Sequence, residues 1–241
     1  MARLVVYTSV FGNKEGLLPQ PKSRDVDYVC FADNEMRVPR PWQLKLIEPA
    51  VPGDPARSSR APKLMPHSFL PDYSYSLYID ANFLVRGNFA PFVLSLLPKK
   101  AFWAFGHGRN CIYDEHQAII EKYHREGVLK DNFEVMQRQI DRYRQENFPP
   151  GFGLISGGVL MRNHHHPEVA KAGELWWNEV KNGSRRDQLS FNYVVWKTGL
   201  DYGVLPGDLR KHKHFYMIGI HRKDYKWKYF RYRFKHFLGL V

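Results

Sequence analysis

The sequence predicts a single α/β domain built around a mainly parallel sheet flanked by helices. Short β-branched and aromatic segments alternate along the chain with longer helical segments, and parallel strands need such crossovers. A chain of 241 residues with 44% hydrophobic residues supports one large core and is short for two. We expect the domain to span residues 1–207 and a basic tail to span 208–241.

The predicted strands are short apolar segments that stop at loop-forming residues. Leu4 to Val10 is a buried first strand, because a Gly-containing loop from Gly12 to Gly16 follows it. The other predicted strands are Asp27 to Ala32, Trp42 to Ile47, Tyr75 to Ile79, Ala101 to Phe105, Leu154 to Met161 and Asp201 to Leu205.

The predicted helices lie between these strands. Pro62 and Pro66 make the first helix irregular, because proline interrupts a helix interior. The predicted helices are Arg57 to Leu70, Phe89 to Leu97, Tyr113 to Glu126, Asn132 to Asn147, Pro167 to Lys181 and Arg186 to Lys197. Three consecutive histidines, His164 to His166, precede one of them and are expected at the surface.

The positive charge is concentrated at the end of the sequence. Ten lysine or arginine residues and two aspartates lie between Asp208 and Val241, so this tail carries +8 of the formal net charge of +12. From Trp227, aromatic residues recur at helical spacing among basic residues, which is typical of a helix that lies on an anionic membrane. The same segment also alternates well enough to form a strand, and docking of the apolar stripe on the domain is a further alternative.

Composition indicates a protein without a membrane span. The longest apolar stretches, such as Phe89 to Leu97, are far shorter than the roughly 20 residues needed to cross a bilayer. The two cysteines, Cys30 and Cys111, lack the spacing of a metal site or a disulfide framework. We expect a cytoplasmic protein that attaches to the inner membrane face through its tail.

Polar residues follow several predicted strands directly. Ligands bind beyond the carboxyl ends of the strands in such sheets, so these positions are the first candidates for a site. They are Thr8 and Ser9 with Asn13, Asp33 and Asn34, Asp80 to Asn82, and His107 with Arg109.

The segment Asp80-Ala81-Asn82, after the strand YSLYI, resembles the Asp-x-Asp element of GT-A glycosyltransferases. Further segments fall in the order found in such enzymes: YTSVFGNKEGL, FADN, the basic pair Arg60 and Lys63, SGGVLMRN, and Arg186-Asp187-Gln188. From about Arg3 to Leu205 the chain resembles an uncharacterised glycosyltransferase-like family with plant and bacterial members.

The resemblance implies a GT-A-like fold and transfer of a sugar from a nucleotide diphosphate donor, such as a UDP-sugar, to a glycan or lipid-linked acceptor in surface polysaccharide synthesis. The catalytic residues that we predict are Asp187, Gln188 and Glu115. The predicted donor-binding residues are Thr8, Ser9, Asn13, Asp33, Arg60, Lys63, Asp80 and His116. The predicted ligands for Mn²⁺ or Mg²⁺ are Asp80, Asn82 and either His212 or His214.

The chemistry of the reaction agrees with these residues. A departing nucleotide diphosphate gains negative charge, which a cation or basic side chains must stabilise. Asp80 and Asn82 offer a carboxylate and a carbonyl to a hard cation. Asn82 brings no charge, so the metal is expected to bind weakly, or to be absent with Arg60 and Lys63 compensating. Asp187 is suited either to deprotonate the acceptor or to bind the donor sugar.

Two other functions fit parts of the sequence. A nucleic-acid-binding protein would use the basic, aromatic tail, but no RNA-binding signature is present and carboxylates at the sheet edge would repel phosphate without a metal. A sugar nucleotidyltransferase would need a glycine-rich, lysine-containing loop that SVFGNKEGL lacks.

Overall fold

A seven-stranded mixed sheet forms the centre of the protein. The computed structural model describes residues 3–12, 16–127, 131–219 and 225–238. The strands of the large sheet are β1 Leu4–Val10, β2 Val26–Ala32, β3 Gln43–Leu46, β4 Tyr75–Ile79, β6 Phe102–Gly106, β7 Ile155–Arg162 and β8 Gly203–Leu205. Their order is β3-β2-β1-β4-β7-β6-β8.

Most pairs in this sheet are parallel. Strands β3, β2, β1 and β4 run in one direction, and β6 and β8 are parallel to each other. Strand β7 is antiparallel to both of its neighbours, β4 and β6. The predicted α/β fold with a mainly parallel sheet flanked by helices is confirmed.

The helices cover both faces of the sheet. They are α1 Pro55–Ser58, α2 Arg60–Leu64, α3 Pro66–Phe69, α4 Phe89–Leu96, α5 Ile112–Glu126, α6 Phe133–Gln145, α7 Pro167–Asn182, α8 Phe191–Thr198 and α9 Tyr225–Phe237. Strand β1 is buried along its whole length, with Val5 and Tyr7 in one core cluster and Leu4 and Val6 in another. This double burial is typical of a central parallel strand.

Two predicted helices differ from the structure. The segment predicted as one irregular helix, Arg57 to Leu70, forms the three short helices α1, α2 and α3, because prolines occupy the first position of α1 and α3. The helix predicted from Arg186 to Lys197 begins instead as a 3₁₀ helix, Asp187–Leu189, which is followed by α8. Asp187 therefore lies in a tight turn before the helix.

A second, three-stranded sheet was not predicted. It contains β5 Phe83–Val85, β9 Lys211–His212 and β10 Phe215–Met217, in the order β5-β10-β9 with antiparallel pairs. Strands of two or three residues are too short to produce a readable alternation. This sheet brings the beginning of the basic tail next to Asn82, whose carbonyl accepts a hydrogen bond from the Ile218 N–H.

The histidine run is only partly at the surface. His165 and His166 are exposed, but His164 is fully buried, and its Nε2 lies 3.1 Å from the carbonyl oxygen of Leu70. The surface prediction was therefore wrong for His164, because the loop turns this ring toward the core.

The helix predicted in the tail is present as α9. Within the ranges given above, no helix combines the length and the apolar character needed to cross a bilayer.

Candidate active site

A polar site lies where the parallel part of the large sheet meets the antiparallel strand β7. Asp80 follows β4 directly, and its N–H donates a hydrogen bond to the carbonyl of Gly158 on β7. Its side chain remains 40% exposed, so the carboxylate is available to a ligand.

Lys63 lies at the centre of this site. Its Nζ is 2.5 Å from Asp187 Oδ2 and 3.7 Å from Asp80 Oδ1, and it lies 4.8 Å from the centre of the Tyr78 ring. The residue is only 2% exposed. A buried ammonium is stabilised only when it is paired, and these two carboxylates provide that pairing.

The backbone of α2 holds Lys63 against the first strand. The Tyr7 hydroxyl donates a hydrogen bond to the Lys63 carbonyl at 3.2 Å, and the Ser9 hydroxyl donates to the Ser59 carbonyl at 2.7 Å. Ser9, a predicted donor-binding residue, thus contacts the segment just before α2.

Helix α7 supports the site from behind. A Cβ at Gly173 would lie 2.5 Å from the carbonyl oxygen of Leu64, so only glycine permits this approach of α7 to α2. Three residues later, the Trp176 indole Nε1 donates to the Asp187 carbonyl at 2.8 Å. The same helix therefore contacts both Asp187 and the segment that carries Lys63.

Asp187 is a buried carboxylate that remains ionised. Burial alone would raise its pKa, but the positive charges of Lys63 and Arg60 hold the pKa of Asp187 below its usual value. The Arg60 Nε lies 3.9 Å from Asp187 Oδ2. An aspartate with a lowered pKa and an ammonium at 2.5 Å is a weak base, so it is better suited to accept a hydrogen bond than to remove a proton.

Tyr78 orients Asp80. Its hydroxyl donates a hydrogen bond to Asp80 Oδ1 at 2.9 Å. Burial of the ring, together with the negative charge of Asp80, raises the pKa of Tyr78 well above its usual value. The hydroxyl therefore stays protonated and acts as a donor to Asp80.

Two glycines of β7, Gly157 and Gly158, form a floor that lies directly against these groups. A Cβ at Gly157 would lie 3.3 Å from Lys63 Nζ and 3.5 Å from Asp187 Oδ2. A Cβ at Gly158 would lie 3.3 Å from Asp80 Oδ2. The absence of side chains at these positions lets all three charged groups approach the backbone of β7 closely.

Glu115 belongs to a neighbouring ion-pair cluster. Its Oε2 accepts from Arg109 Nε at 2.8 Å, and its Oε1 accepts from Arg186 Nη2 at 2.9 Å. The residue is 3% exposed, so both oxygens are engaged in a buried clamp. Arg186 precedes Asp187, and its charge also lowers the pKa of Asp187. Arg186 therefore lies between Glu115 and the carboxylate of Asp187 in this cluster.

The other donor-binding residues predicted near β1 and β2 have varied surroundings. Thr8 is fully buried, and its hydroxyl has no hydrogen-bond partner within the part of the chain that the structure describes. Both oxygens of Asp33 accept from the Gly12 N–H at 3.0 Å. Asn13 lies outside the described residues.

Two other predicted residues, His116 and Gln188, lie on helices and differ in their distance from this site. His116 is buried, its ring stacks on Phe133 of α6, and burial lowers its pKa. The Gln188 amide donates to the Ile155 carbonyl at 2.8 Å and so joins the 3₁₀ helix to β7. Gln188 is thus close to the floor, whereas His116 lies between two helices.

The two tail histidines pack in an aromatic cluster. The His214 ring stacks on Phe92 at 4.5 Å, and the His212 ring stacks on Phe215 at 5.5 Å. Burial lowers the pKa of both rings. Across the described ranges, no three His, Cys, Asp or Glu side chains group closely enough to hold a metal ion.

The donor set at Asp80 fits a cation that the substrate helps to hold. The partly exposed carboxylate of Asp80 and the side-chain carbonyl of Asn82 are oxygen groups of the kind that bind such ions, and Mg²⁺ commonly binds through one or two carboxylates together with substrate phosphates. Lys63 already supplies positive charge beside Asp80. The residues therefore fit a metal ion bound jointly with a diphosphate, not a preformed protein cage.

The sequence of this chain is similar to sequences of known proteins. Residues 29–204 match the family described as TOD1/MUCI70, glycosyltransferase-like domain. The probable hexosyltransferase MUCI70 of Arabidopsis thaliana is 26% identical over 162 residues, which cover 64% of this chain and 27% of that protein. The chain thus spans about a quarter of the length of this curated relative.

Solved glycosyltransferases are also similar. The bifunctional glycosyltransferase WbbM has a TM-score of 0.45 at 11% identity, covering 85% of this chain and 39% of that one. Mouse xyloside xylosyltransferase 1 has a TM-score of 0.44 at 11% identity, covering 85% of this chain and 84% of that one. The galactosyltransferase LgtC, in complex with donor and acceptor sugar analogs, has a TM-score of 0.44 at 14% identity, covering 83% of this chain and 72% of that one.

Proposed function

The chain belongs to the TOD1/MUCI70 glycosyltransferase-like domain family, and on that premise we propose that it transfers a hexose from a nucleoside diphosphate sugar to a hydroxyl of a glycan or lipid-linked acceptor. The observation that carries the proposal is the position of the Lys63 ammonium between Asp80 and Asp187, against the glycine floor of β7.

Lys63 would stabilise the leaving group. A nucleoside diphosphate gains negative charge as the bond to the sugar breaks, and a fixed ammonium favours that charge most in a site that excludes water. Lys63 is buried and held by its own backbone contact with Tyr7, so little reorganisation is needed during the reaction.

Asp80 and Asn82 would hold a divalent cation, Mn²⁺ or Mg²⁺, together with the diphosphate. When bound, such an ion supplies further positive charge at the phosphate oxygens. Tyr78 fixes the orientation of the Asp80 carboxylate for this role through its 2.9 Å hydrogen bond.

Asp187 is assigned to positioning the donor sugar. Its lowered pKa makes it a poor proton acceptor but a good hydrogen-bond acceptor for sugar hydroxyls. Gln188 and the clamp of Glu115 on Arg186 keep the turn that carries Asp187 against β7. Synthesis of a surface polysaccharide is the pathway that we propose for this activity.

A thermal-shift screen tests the function. Nucleoside diphosphates with each of the common bases are added with and without Mn²⁺, and a ligand that binds only the folded state raises the melting temperature. We expect at least one diphosphate to do so in the parent and not in Lys63→Met. The matching nucleotide sugar should then release free nucleotide when acceptors are supplied. If no diphosphate or nucleotide sugar stabilises the protein, the proposal is wrong.

A further inference from the structure

Helix α9 combines an apolar stripe with a strongly basic surface. The stripe consists of Trp227, Phe230 and Phe234 of α9 and of Leu238 directly after it, which are 62%, 62%, 57% and 51% exposed. At about 100° per residue these four positions fall within an arc of about 80°. Four large apolar side chains on one exposed arc need a partner, because single exposed residues are common but contiguous patches mark an interaction site.

The opposite face of α9 is already docked on the protein. The Tyr232 ring packs on Tyr216 of β10 with ring centres 4.8 Å apart. A Cβ at Gly219 would lie 3.2 Å from the Cδ of Lys228, so the stem of this lysine also lies against the domain. On a helical wheel, Lys228 and Tyr232 lie roughly opposite the apolar stripe. The helix is therefore anchored in the orientation that turns the stripe outward.

Basic residues border the stripe on both sides. Arg231 and Lys235 lie along one edge of the arc, and Lys226 and Arg233 lie along the other. The sequence from Tyr225 to Leu238 contains no aspartate or glutamate. An apolar strip between two rows of cations matches a surface whose charged groups lie in one plane above an apolar layer.

We propose that α9 is an interfacial helix that binds an anionic lipid surface, with the apolar stripe inserted below the headgroups. Interfacial helices use Trp, Phe and Leu on one face and Lys and Arg on the other, and basic residues are attracted to anionic lipids. Nucleic acid fits less well, because stacking on bases would need separated aromatic rings among the cations, whereas here Leu238 continues one unbroken stripe.

Helix α9 packs on the small sheet, which in turn adjoins the candidate active site. Strand β10, which contacts α9 through Tyr216, pairs with β5, and β5 begins one residue after Asn82. The lipid surface would therefore lie on the outer side of α9, whose inner side packs on the small sheet that adjoins Asp80. Binding to lipid does not depend on the transfer reaction, so the two proposals can fail separately.

The experiment compares vesicles of phosphatidylcholine alone with vesicles that also contain phosphatidylglycerol, using the full chain. We expect cosedimentation with the anionic vesicles only, weakened by added salt. Combined substitution of Phe230→Ser and Phe234→Ser should reduce binding by about tenfold or more for each ring removed. Replacing Arg231, Arg233 and Lys235 by glutamine should reduce it by about fivefold for each charge.

Matched controls separate this proposal from the alternatives. Leu46→Ser removes an exposed apolar residue of β3 and should leave vesicle binding unchanged. Trp227 fluorescence should shift to the blue on binding, and Trp227→Phe should lose the shift but keep binding. A folded parent that ignores anionic vesicles overturns the proposal. So does binding to RNA without binding to vesicles, or self-association that Phe230→Ser and Phe234→Ser abolish while vesicle binding persists.

Discussion

The Nζ of Lys63 lies 2.5 Å from the Oδ2 of Asp187, and both residues are more than nine-tenths buried. Removal of one partner leaves an uncompensated buried charge, so Lys63→Met should lower the free energy of unfolding by about 3–5 kcal/mol. Adding Asp187→Asn to this variant should restore part of the loss. Urea unfolding of both single variants and the double variant measures the coupling, and additive losses would show that the pair does not interact.

Asp80→Ala should remove the metal-dependent part of nucleotide binding while the fold persists. The Asp80 carboxylate is partly exposed and follows a strand, so its loss creates no core cavity. Calorimetric titration of a nucleoside diphosphate with and without Mn²⁺ measures the effect. Asp201→Ala, which removes another exposed aspartate at the opposite end of the sheet, is the matched control. Unchanged Mn²⁺ dependence in Asp80→Ala would remove Asp80 from the metal site.

Asp187→Asn should reduce turnover far more than donor binding. We place Asp187 beside the donor sugar, where its negative charge is expected to matter most in the transition state. The expected outcome is a fall in kcat of about a hundredfold with nucleotide affinity within about threefold. Steady-state kinetics with a defined acceptor and titration with the diphosphate measure these quantities. A kcat close to that of the parent would reduce Asp187 to a structural partner of Lys63.

Gly157→Ala should impair donor binding without unfolding the protein. The added methyl group would lie 3.3 Å from Lys63 Nζ and 3.5 Å from Asp187 Oδ2, and so would displace the two groups that we assign to the donor. We expect kcat/KM to fall by between about tenfold and a hundredfold, because small displacements of reacting groups are costly. Gly108→Ala is the control, since its Cβ would have no neighbour within 4 Å. Equal activity in both variants would show that the floor is not the donor site.

His164 should make stability depend on pH in mildly acidic solution. Burial of the ring lowers the pKa of His164 to about 4, against the hydrogen bond to Leu70 that raises it. Between about pH 6.5 and 4 the unfolded state binds this proton and the folded state does not, so the free energy of unfolding falls as the pH falls, by up to about 3 kcal/mol. His164→Asn should lose this contribution, and the exposed His165→Asn should keep it. Chemical unfolding across this pH range tests the difference, which must be absent if His164 titrates normally.

The sequence identified the separate parts of the site better than their arrangement. Asp80 was predicted from its place after a strand, and Lys63 and Asp187 from the family resemblance. Their convergence could not be predicted, because Lys63 lies on a five-residue helix whose return to β1 depends on contacts with Tyr7 and on α7. The hydrogen bond from Tyr78 to Asp80 was not predicted, because the sequence of a strand does not show which of its hydroxyl groups will contact a carboxylate.

The fold was predicted where segments were long and periodic, and missed where pairing was nonlocal. Strand β1 and helix α5 were recognised from burial and helical pattern. Strand β10 has three residues and is specified by its partner β5, far away in the sequence. For the same reason His212 and His214 were read as possible metal ligands, whereas their rings pack on Phe215 and Phe92. Their assignment as ligands stays a prediction.

Helix α7 contacts both segments that carry the charged groups Lys63 and Asp187. Because Gly173 bears on the carbonyl of Leu64 and Trp176 holds the carbonyl of Asp187, a rigid displacement of α7 carries both groups in the same direction. The distance between Lys63 and Asp187 would therefore stay the same when α7 shifts as a rigid body. The same distance depends on the close contact between Gly173 and Leu64. A methyl group at position 173 would push α2 away from α7, while Asp187 would stay bound to Trp176. This change would separate Lys63 from Asp187 without touching either residue.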